Sequence, residues 1–181
     1  PFTTLSPNLG KVTHKGVSFV VADIPGIIDD AHIGKGLGFE FLRHVERTKV
    51  LVHIVDILGF KNESAFENWK AILKELKEYG HDVDQKPYVL CLNKIDLTSS
   101  GELVKDFEKH LKKQKKKSRF DVFHISAVSG EGIKPLLDKI IQVISKARTE
   151  GAVSIQDGQV KRYTYCLLYT SPSPRDRTRS R

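Results

Sequence analysis

One short segment carries the residue types that bind phosphate in many proteins. The apolar residues 19–22 lead into Asp23, which is followed by Ile24, Pro25 and Gly26. In open α/β sheets ligands bind beyond the carboxyl ends of the strands, and a glycine there lets backbone N–H groups approach anionic oxygens. The same D-x-x-G string also describes an ordinary turn, because Pro presets φ and Gly tolerates a positive φ. The functional interpretation therefore depends on the motifs further along the chain.

Two later loops carry chemistry suited to a guanine base. They contain Asn93, Lys94, Ile95 and Asp96, and then Ser126, Ala127 and Val128. The Asp96 carboxylate can accept hydrogen bonds from the ring N–H and the exocyclic amine of guanine, a donor pattern that adenine lacks. Asn93 and the stem of Lys94 can hold the loop and cover the base, while the backbone at Ser126 and Ala127 can donate to the guanine carbonyl.

An N-K-x-D string alone could be an Asx-type turn before a helix cap. Three loops in this order, separated by strand and helix units, instead predict a guanine-nucleotide site. An ATP site is disfavoured by Asp96.

The elements that must position these loops alternate between strand and helix. A hairpin with its turn at Lys15 and Gly16 leads to the strand that ends at Asp23, and residues 50–56, 88–92 and 122–125 are continuous apolar runs typical of buried parallel strands. Apolar residues recur at helical spacing over 41–47, 66–79, 103–111 and 133–144. Ser99 and Glu102 have the spacing of a capping box. This order predicts an α/β fold with a mostly parallel sheet, covered on both faces.

Composition is consistent with one globular domain. The 181 residues are 39% hydrophobic and 29% charged, with two cysteines and a net charge of +8. The chain has no apolar run long enough to span a bilayer. It starts at Pro1 and contains no methionine, so we expect an internal fragment. A basic run over residues 109–119 is either a solvated surface or an RNA contact.

The sequence resembles the Obg family of translation-factor-type GTPases. The matching strings are PFTTLSPNLG (residues 1–10), VVADIPGI (20–27), GKGLGFEFLRH (34–44), ERT (46–48), NKIDL (93–97) and ISA (125–127). The resemblance covers residues 1–148 and implies a P-loop NTPase-type G domain, a three-layer sandwich that binds GTP or GDP with Mg²⁺. It also implies association with the large ribosomal subunit and its RNA.

The resemblance assigns roles to individual residues. It implies that Phe2, Thr3, Thr4, Leu5 and Ser6 form switch I, with the Thr4 hydroxyl on Mg²⁺. Switch II would open at Asp23, which would reach the metal through water, and the Gly26 N–H would bind the γ-phosphate.

Two features depart from the usual GTPase pattern. Many GTPases carry Gln after the D-x-x-G glycine to orient the attacking water, whereas this chain has the apolar Ile27, so no catalytic residue is assigned. The G-x-x-x-x-G-K-[ST] phosphate loop is absent from the sequence, and with it the strand that the resemblance places in the middle of the sheet. We therefore expect an open or closed-up seam between the strands ending at Asp23 and Asp56, and a chain that neither folds stably nor hydrolyses GTP.

The end of the chain differs in character. Residues 149–165 lose the helical periodicity and are expected to be irregular. Residues 166–181 lose it completely, and residues 166–176 can be translated from a DNA adapter used in sequencing libraries, so this tail is predicted to be non-native.

The resulting hypothesis is an Obg-type, Mg²⁺-dependent GTPase that acts in assembly of the large ribosomal subunit. The alternative is a non-catalytic RNA- or ribosome-binding module on a degenerate G domain. The expected location is the cytoplasm, or a mitochondrion or plastid if the source is eukaryotic.

Overall fold

The structure is a computed structural model that describes residues 8–23, 45–59, 63–80, 82–114, 121–150 and 165–170. A six-stranded sheet forms its centre, in the order β1-β2-β6-β3-β4-β5. The strands are β1 (Asn8–His14), β2 (Val17–Asp23), β3 (Val50–Asp56), β4 (Tyr88–Asn93), β5 (Asp121–Ile125) and β6 (Tyr165–Thr170). The helices are α1 (Ala65–Tyr79), α2 (Ser100–Lys113) and α3 (Ile133–Glu150), with a short 3₁₀ turn at Val83–Gln85.

The predicted hairpin is confirmed. β1 and β2 pair antiparallel from Asn8↔Asp23 to His14↔Val17. The two turn residues have positive φ, 48° at Lys15 and 76° at Gly16. Such a turn matches the twist of the paired strands, and glycine in the second position adopts it without strain. The hairpin thereby delivers Asp23 to the end of β2.

The other strands run parallel, and alternate side chains enter two separate cores. On one face Val50, Val52, Val89 and Cys91 pack with α3 through its buried residues Leu136, Ile140 and Ile144. On the other face Leu51, Val55, Leu90 and Leu92 lie in the clusters that contain residues of α1 and α2, including Trp69, Ile72 and Phe107. The structure thus confirms an α/β fold with three layers and a mostly parallel sheet.

The central strands β3 and β4 are buried on both faces of the sheet, as their apolar residues predict. Val50, Val52, Leu90, Cys91 and Leu92 are all 0% exposed. His53 is a polar residue in the middle of β3, and burial lowers its pKa to about 3, so its imidazole is neutral near pH 7. It hydrogen bonds to the Tyr88 hydroxyl, which also accepts a hydrogen bond from Trp69 Nε1. This network fixes α1 to β3 and β4.

The capping box lies on a different helix from the one predicted. At α2, Ser99 has helical backbone angles (φ −82°, ψ −7°) and its side chain makes no capping hydrogen bond. The neighbouring Ser100 hydroxyl donates to the Ile95 carbonyl instead, at 2.6 Å. The complete box is at α1, where extended Ser64 and Glu67 satisfy each other's backbone N–H groups. An N-cap needs extended backbone, so spacing alone does not locate it.

The segment before β3 is held in place by Lys86. Its ammonium donates to the carbonyl oxygens of Glu46, at 2.9 Å, and Thr48, at 2.5 Å. Partial burial lowers the pKa of Lys86. Val45 is completely buried beside α1. The helix predicted over residues 41–47 and the glycine-rich loop before it fall mostly outside the described residues.

The prediction of an open or closed-up seam between β2 and β3 is wrong, because β6 lies between these two strands. Tyr165–Leu168 pair in parallel with Val20–Asp23 of β2, and Cys166–Thr170 pair in parallel with Val50–Ile54 of β3. A strand also replaces the start of a tail in which no regular element was expected. The expectation that the chain does not fold stably depended on an open seam, so it loses that basis.

The boundaries near residue 149 also differ from those predicted. Helix α3 continues to Glu150, and β6 begins at Tyr165, so both ends of the segment expected to be irregular belong to regular elements. Residues 151–164 lie outside the described part of the chain. No helix among the described residues is long and apolar enough to cross a membrane.

Candidate functional site

The candidate site lies at the edge of the sheet where the parallel strands end. In register, Asp56 at the end of β3 faces Asn93 at the end of β4, and Asn93 faces Ile125 at the end of β5. The loops that start with Ile57, Lys94 and Ser126 therefore leave the sheet side by side. Asp23 ends β2 at the same edge, with β6 and β3 between it and β4. Three strand spacings separate β2 from β4, about 14 Å in all.

The N-K-x-D and S-A loops are joined directly. The Ala127 N–H donates to Asn93 Oδ1 at 3.0 Å, and the Ile95 N–H donates to the Ile125 carbonyl at 3.3 Å. The half-buried Asn93 side chain thus holds the second loop against the first. The structure brings these predicted site residues together, since they follow neighbouring parallel strands.

Lys94 takes part in a contact that sequence reasoning missed. Its ammonium lies 2.5 Å from Asp56 Oδ2, and the Asp56 side chain is only 6% exposed. The other oxygen, Asp56 Oδ1, accepts a hydrogen bond from the Leu58 N–H at 3.1 Å. Lys94 has φ of 70°, a left-handed conformation that is uncommon for a residue with a side chain. The ion pair thus ties the unusual turn of the N-K-x-D loop to the end of β3.

The S-A loop is shaped by hydrogen bonds around Ser126, which is 0% exposed. Its N–H donates to the Glu131 carbonyl at 3.0 Å, its carbonyl accepts from Gly130, and its hydroxyl oxygen accepts from the Ser129 N–H. A Cβ on Gly132 would lie 2.0 Å from the His124 carbonyl oxygen, so only glycine fits there. The Ser126 N–H therefore holds the loop in shape, although it was predicted from the sequence to donate to a guanine carbonyl.

The remaining loop residues are partly or fully exposed. Asp96 is exposed, Ile95 is half-buried, and the Val128 side chain is 90% exposed. A shallow groove lies beside the loop, lined by Leu58, Leu97, Thr98, Ser99, Gly101, Glu102 and Lys105. The exposed carboxylate of Asp96 and the tethered Asn93 together offer hydrogen-bond acceptors and donors at one place on the sheet edge.

The phosphate and metal side of the predicted site is less completely described. Asp23 is half-buried at the end of β2. Within the described parts of the chain, no three His, Cys, Asp or Glu side chains are grouped so that they could hold a metal ion. The other predicted residues, Phe2, Thr3, Thr4, Leu5, Ser6, Ile24, Pro25 and Gly26, lie outside the described residues.

Asp56 could have been singled out from the sequence. It is the polar residue that ends the apolar run 50–55, the same position that Asp23 and Asn93 hold in their strands. What the sequence could not supply was its partner, because Lys94 was expected to lie over a base. The contact depends on the strand register that sets Asp56 beside Asn93.

Replacing Asp56 by asparagine is expected to lower the free energy of unfolding by about 1–3 kcal/mol, because Lys94 loses a charged acceptor in a buried position. Lys94 is 29% exposed, and water at its ammonium limits the loss. Urea denaturation followed by Trp69 fluorescence measures the change. The matched control is Asp106→Asn, which removes an exposed acceptor on α2 and is expected to change stability by less than about 0.5 kcal/mol. Equal changes in the two variants would show that the buried ion pair contributes no more to the free energy of unfolding than an exposed carboxylate does.

Comparison with known proteins agrees with this architecture. The family model described as "50S ribosome-binding GTPase" matches residues 1–94, half of the chain. The chain is 48% identical over 168 residues to a protein named GTPase Obg from Endomicrobium trichonymphae, and 52% identical over 145 residues to a GTPase Obg from Elusimicrobium minutum. These alignments cover 91% and 80% of this chain but only 38% and 30% of those proteins.

Two solved structures have a similar fold. A nucleolar GTP-binding protein 1 from Plasmodium falciparum superposes with a TM-score of 0.53 over 78% of this chain and 72% of that one, at 19% identity. A variant of the protein SsGBP gives a TM-score of 0.59 over 83% of this chain and 51% of that one, at 25% identity. The first of these likenesses shows the fold alone. With the family match and the Obg relatives, the chain belongs to the 50S ribosome-binding GTPase family and is of the Obg type.

Proposed function

We propose that this chain is the base-recognition and switch part of an Obg-type GTP hydrolase. The observation that carries the proposal is the hydrogen bond from Ala127 to Asn93, which joins the N-K-x-D and S-A loops at the ends of adjacent parallel strands. Asp96 projects from the same turn as an exposed carboxylate. A ligand that contacts both this corner and Asp23 must extend along the sheet edge, as a nucleoside triphosphate does.

Each loop residue has a separate task in this proposal. Asp96 accepts hydrogen bonds from the ring N–H and exocyclic amine of guanine, which sets the choice of base. Asn93 holds the S-A loop, and Asp56 holds Lys94 so that the turn keeps one conformation. The Ala127 N–H, which donates to Asn93 Oδ1, would share its hydrogen with the guanine carbonyl when the nucleotide binds.

The phosphate side is proposed from the family resemblance and from Asp23. A carboxylate at the end of β2 is the oxygen donor that Mg²⁺ prefers, and Thr4 would supply a hydroxyl ligand. Bound Mg²⁺ would neutralise charge on the phosphate oxygens. Gly26 and switch I, residues 2–6, would contact the γ-phosphate. Ile27 cannot orient water, so the group that does so is not assigned to a residue of this chain.

The base choice can be tested once the missing phosphate loop is supplied. We define the completed chain as residues 1–164 joined at the N-terminus to the strand, P-loop and helix of a GTPase Obg relative. It is expected to bind GTP at least about a hundredfold more tightly than ATP, because a site that hydrogen bonds specific donors rejects a ligand that lacks them. Displacement of a fluorescent guanine nucleotide measures both affinities. Equal displacement by ATP would contradict the proposed base site.

A second candidate function has support from the basic residues of α2. Lys109, Lys112 and Lys113 are exposed at its carboxyl end, where the run 109–119 begins. A ribosome-associated protein could use them for contact with ribosomal RNA, and the large subunit is the partner that the family description names. The cytoplasm is the proposed location.

This RNA contact is expected to be electrostatic and not sequence-specific. Replacing Lys109, Lys112 and Lys113 by glutamine should make the negative slope of log affinity against log salt shallower by about 2–3, since each lost phosphate contact removes just under one unit. Filter binding to ribosomal RNA at several salt concentrations measures the slope. The control replaces Lys70, Lys74 and Lys77 on α1, which should leave the slope unchanged. A salt slope that stays the same when the three α2 lysines are replaced would mean that they form only a solvated surface.

A further inference from the structure

Ser100, the first residue of α2, holds the N-K-x-D loop at two points. Its hydroxyl donates to the Ile95 carbonyl at 2.6 Å, and its N–H donates to the Leu97 carbonyl at 2.9 Å. The N–H groups in the first turn of a helix have no partner within the helix, so the Leu97 carbonyl also satisfies one of these donors. Asp96 lies between the two residues that Ser100 binds. A single residue of α2 therefore holds the chain on both sides of Asp96.

The peptide groups directly before and after Asp96 both have a hydrogen-bond partner. The Ile95 carbonyl, which accepts the serine hydroxyl, belongs to the first of them. The Leu97 N–H belongs to the second, and it donates to the Lys94 carbonyl at 3.3 Å. Because the backbone sets where a Cα–Cβ bond points, these contacts set the direction in which the Asp96 side chain leaves the loop.

The Asp96 carboxylate depends on this backbone support. Asp96 is exposed, and in the described part of the chain its side chain has no hydrogen bond or ion pair. Ser100, by contrast, is only 5% exposed, so its hydroxyl bond to Ile95 is shielded from water. Removing the hydroxyl would leave a carbonyl without its donor at a buried position, and the loop would relax to satisfy it.

We propose that Ser100 is a positioning residue for guanine recognition. Its hydroxyl holds the Ile95 carbonyl so that the Asp96 carboxylate accepts from the ring N–H and the exocyclic amine together. Two hydrogen bonds to one carboxylate require a defined orientation, since each weakens steeply as its angle departs from linear. The inference rests on the proposed function, in which Asp96 contacts the base, and it assigns no contact between Ser100 and the nucleotide.

The two adjacent serines supply matched variants. Ser100→Ala removes the hydroxyl, whereas Ser100→Thr keeps it. Ser99→Ala is the control, because the exposed Ser99 side chain makes no capping hydrogen bond. All three substitutions leave the net charge unchanged.

The first measurement uses the 181-residue chain without nucleotide. The order parameter of the Asp96 N–H, from ¹⁵N relaxation, is expected to be about 0.8 in the parent and below about 0.6 in Ser100→Ala. Ser100→Thr and Ser99→Ala should keep the parent value. An Asp96 N–H that stays as rigid in Ser100→Ala as in the parent would overturn the proposal.

The second measurement compares GTP with inosine triphosphate, which lacks the exocyclic amine, by calorimetry in the completed chain. The parent should prefer GTP by at least about tenfold, and Ser100→Ala should reduce this preference to less than about threefold. Ser100→Thr and Ser99→Ala should retain the parent preference. A loss of stability alone lowers the folded fraction for both nucleotides and leaves the ratio of affinities unchanged.

The outcomes separate this role of Ser100 from the base site itself. An undiminished preference for GTP in Ser100→Ala would overturn the role of Ser100 and leave the base site standing. The same conclusion would follow if Ser100→Thr discriminated no better than Ser100→Ala, because the hydroxyl would then not be the cause. A parent that binds both nucleotides equally would overturn the proposed contact of Asp96 with the amine, and the role of Ser100 with it.

Discussion

The chain as it stands is expected to leave the rate of phosphate release from GTP at its value in buffer alone. The completed chain should release phosphate from GTP at least about a thousandfold faster than this chain. The reason is that charge builds up on the phosphate oxygens during the reaction, and the P-loop supplies a lysine and several backbone N–H groups to that charge. Removing a single donor of this kind typically costs about 100- to 1,000-fold in rate. The present sequence has no G-x-x-x-x-G-K-[ST] segment to provide them.

Single-turnover phosphate release, with enzyme in excess over GTP, measures both rates under the same conditions. The matched control is the completed chain with its P-loop lysine replaced by alanine, which is expected to fall back towards the rate of the original chain. Hydrolysis by the unmodified chain at the rate of the completed chain would show that the phosphates are bound in some other way.

The second large effect is expected at Asp96. In the completed chain, Asp96→Asn should weaken GTP binding at least about thirtyfold, equivalent to about 2 kcal/mol. The ring N–H and exocyclic amine of guanine would lose a charged acceptor, and each buried group left unsatisfied costs about 1–3 kcal/mol. Because Asp96 is exposed in the absence of ligand, the substitution removes no buried contact of the protein itself.

Calorimetric titration of GTP measures this change in affinity. Asp84→Asn serves as the control, since Asp84 is an exposed carboxylate in the 3₁₀ turn at the opposite end of β4. It is expected to leave the affinity unchanged. A loss of GTP affinity that is the same in both variants would reflect net charge alone and would remove Asp96 from the base site.

Much of the scaffold could be predicted from local pattern. Continuous apolar runs located β3 and β4 because a strand covered by helices on both faces has no polar side. The spacing of Leu136, Ile140 and Ile144 located the buried face of α3. The order of strands then placed Asn93 and Ser126 at the same edge, since parallel strands end together. Leu103, by contrast, fits the apolar spacing of α2 and is 37% exposed.

What could not be predicted depends on backbone angles and on pairing between distant segments. Ser64 and Ser99 both precede a Glu at the right spacing, and only the extended backbone of Ser64 makes it a cap. The Asp56 to Lys94 ion pair requires the register of β3 on β4. The pairing of β6 with β2 and β3 joins residues far apart in sequence, and no local periodicity reveals it.

The central claim is that Asp96 and the loops around it select guanine, and exchange of the preferred base tests it most directly. Xanthine carries a carbonyl where guanine has its exocyclic amine, so the amide created by Asp96→Asn can donate where the carboxylate can only accept. Calorimetry would compare GTP with xanthosine triphosphate in the completed chain and in this variant. The predicted result is a preference for GTP in the parent, reversed in the variant by at least about tenfold. A reversal would be diagnostic, because neither misfolding nor a change in net charge can produce a gain of affinity for one base. An unchanged preference for GTP in the variant would contradict the assignment of Asp96 to the base site.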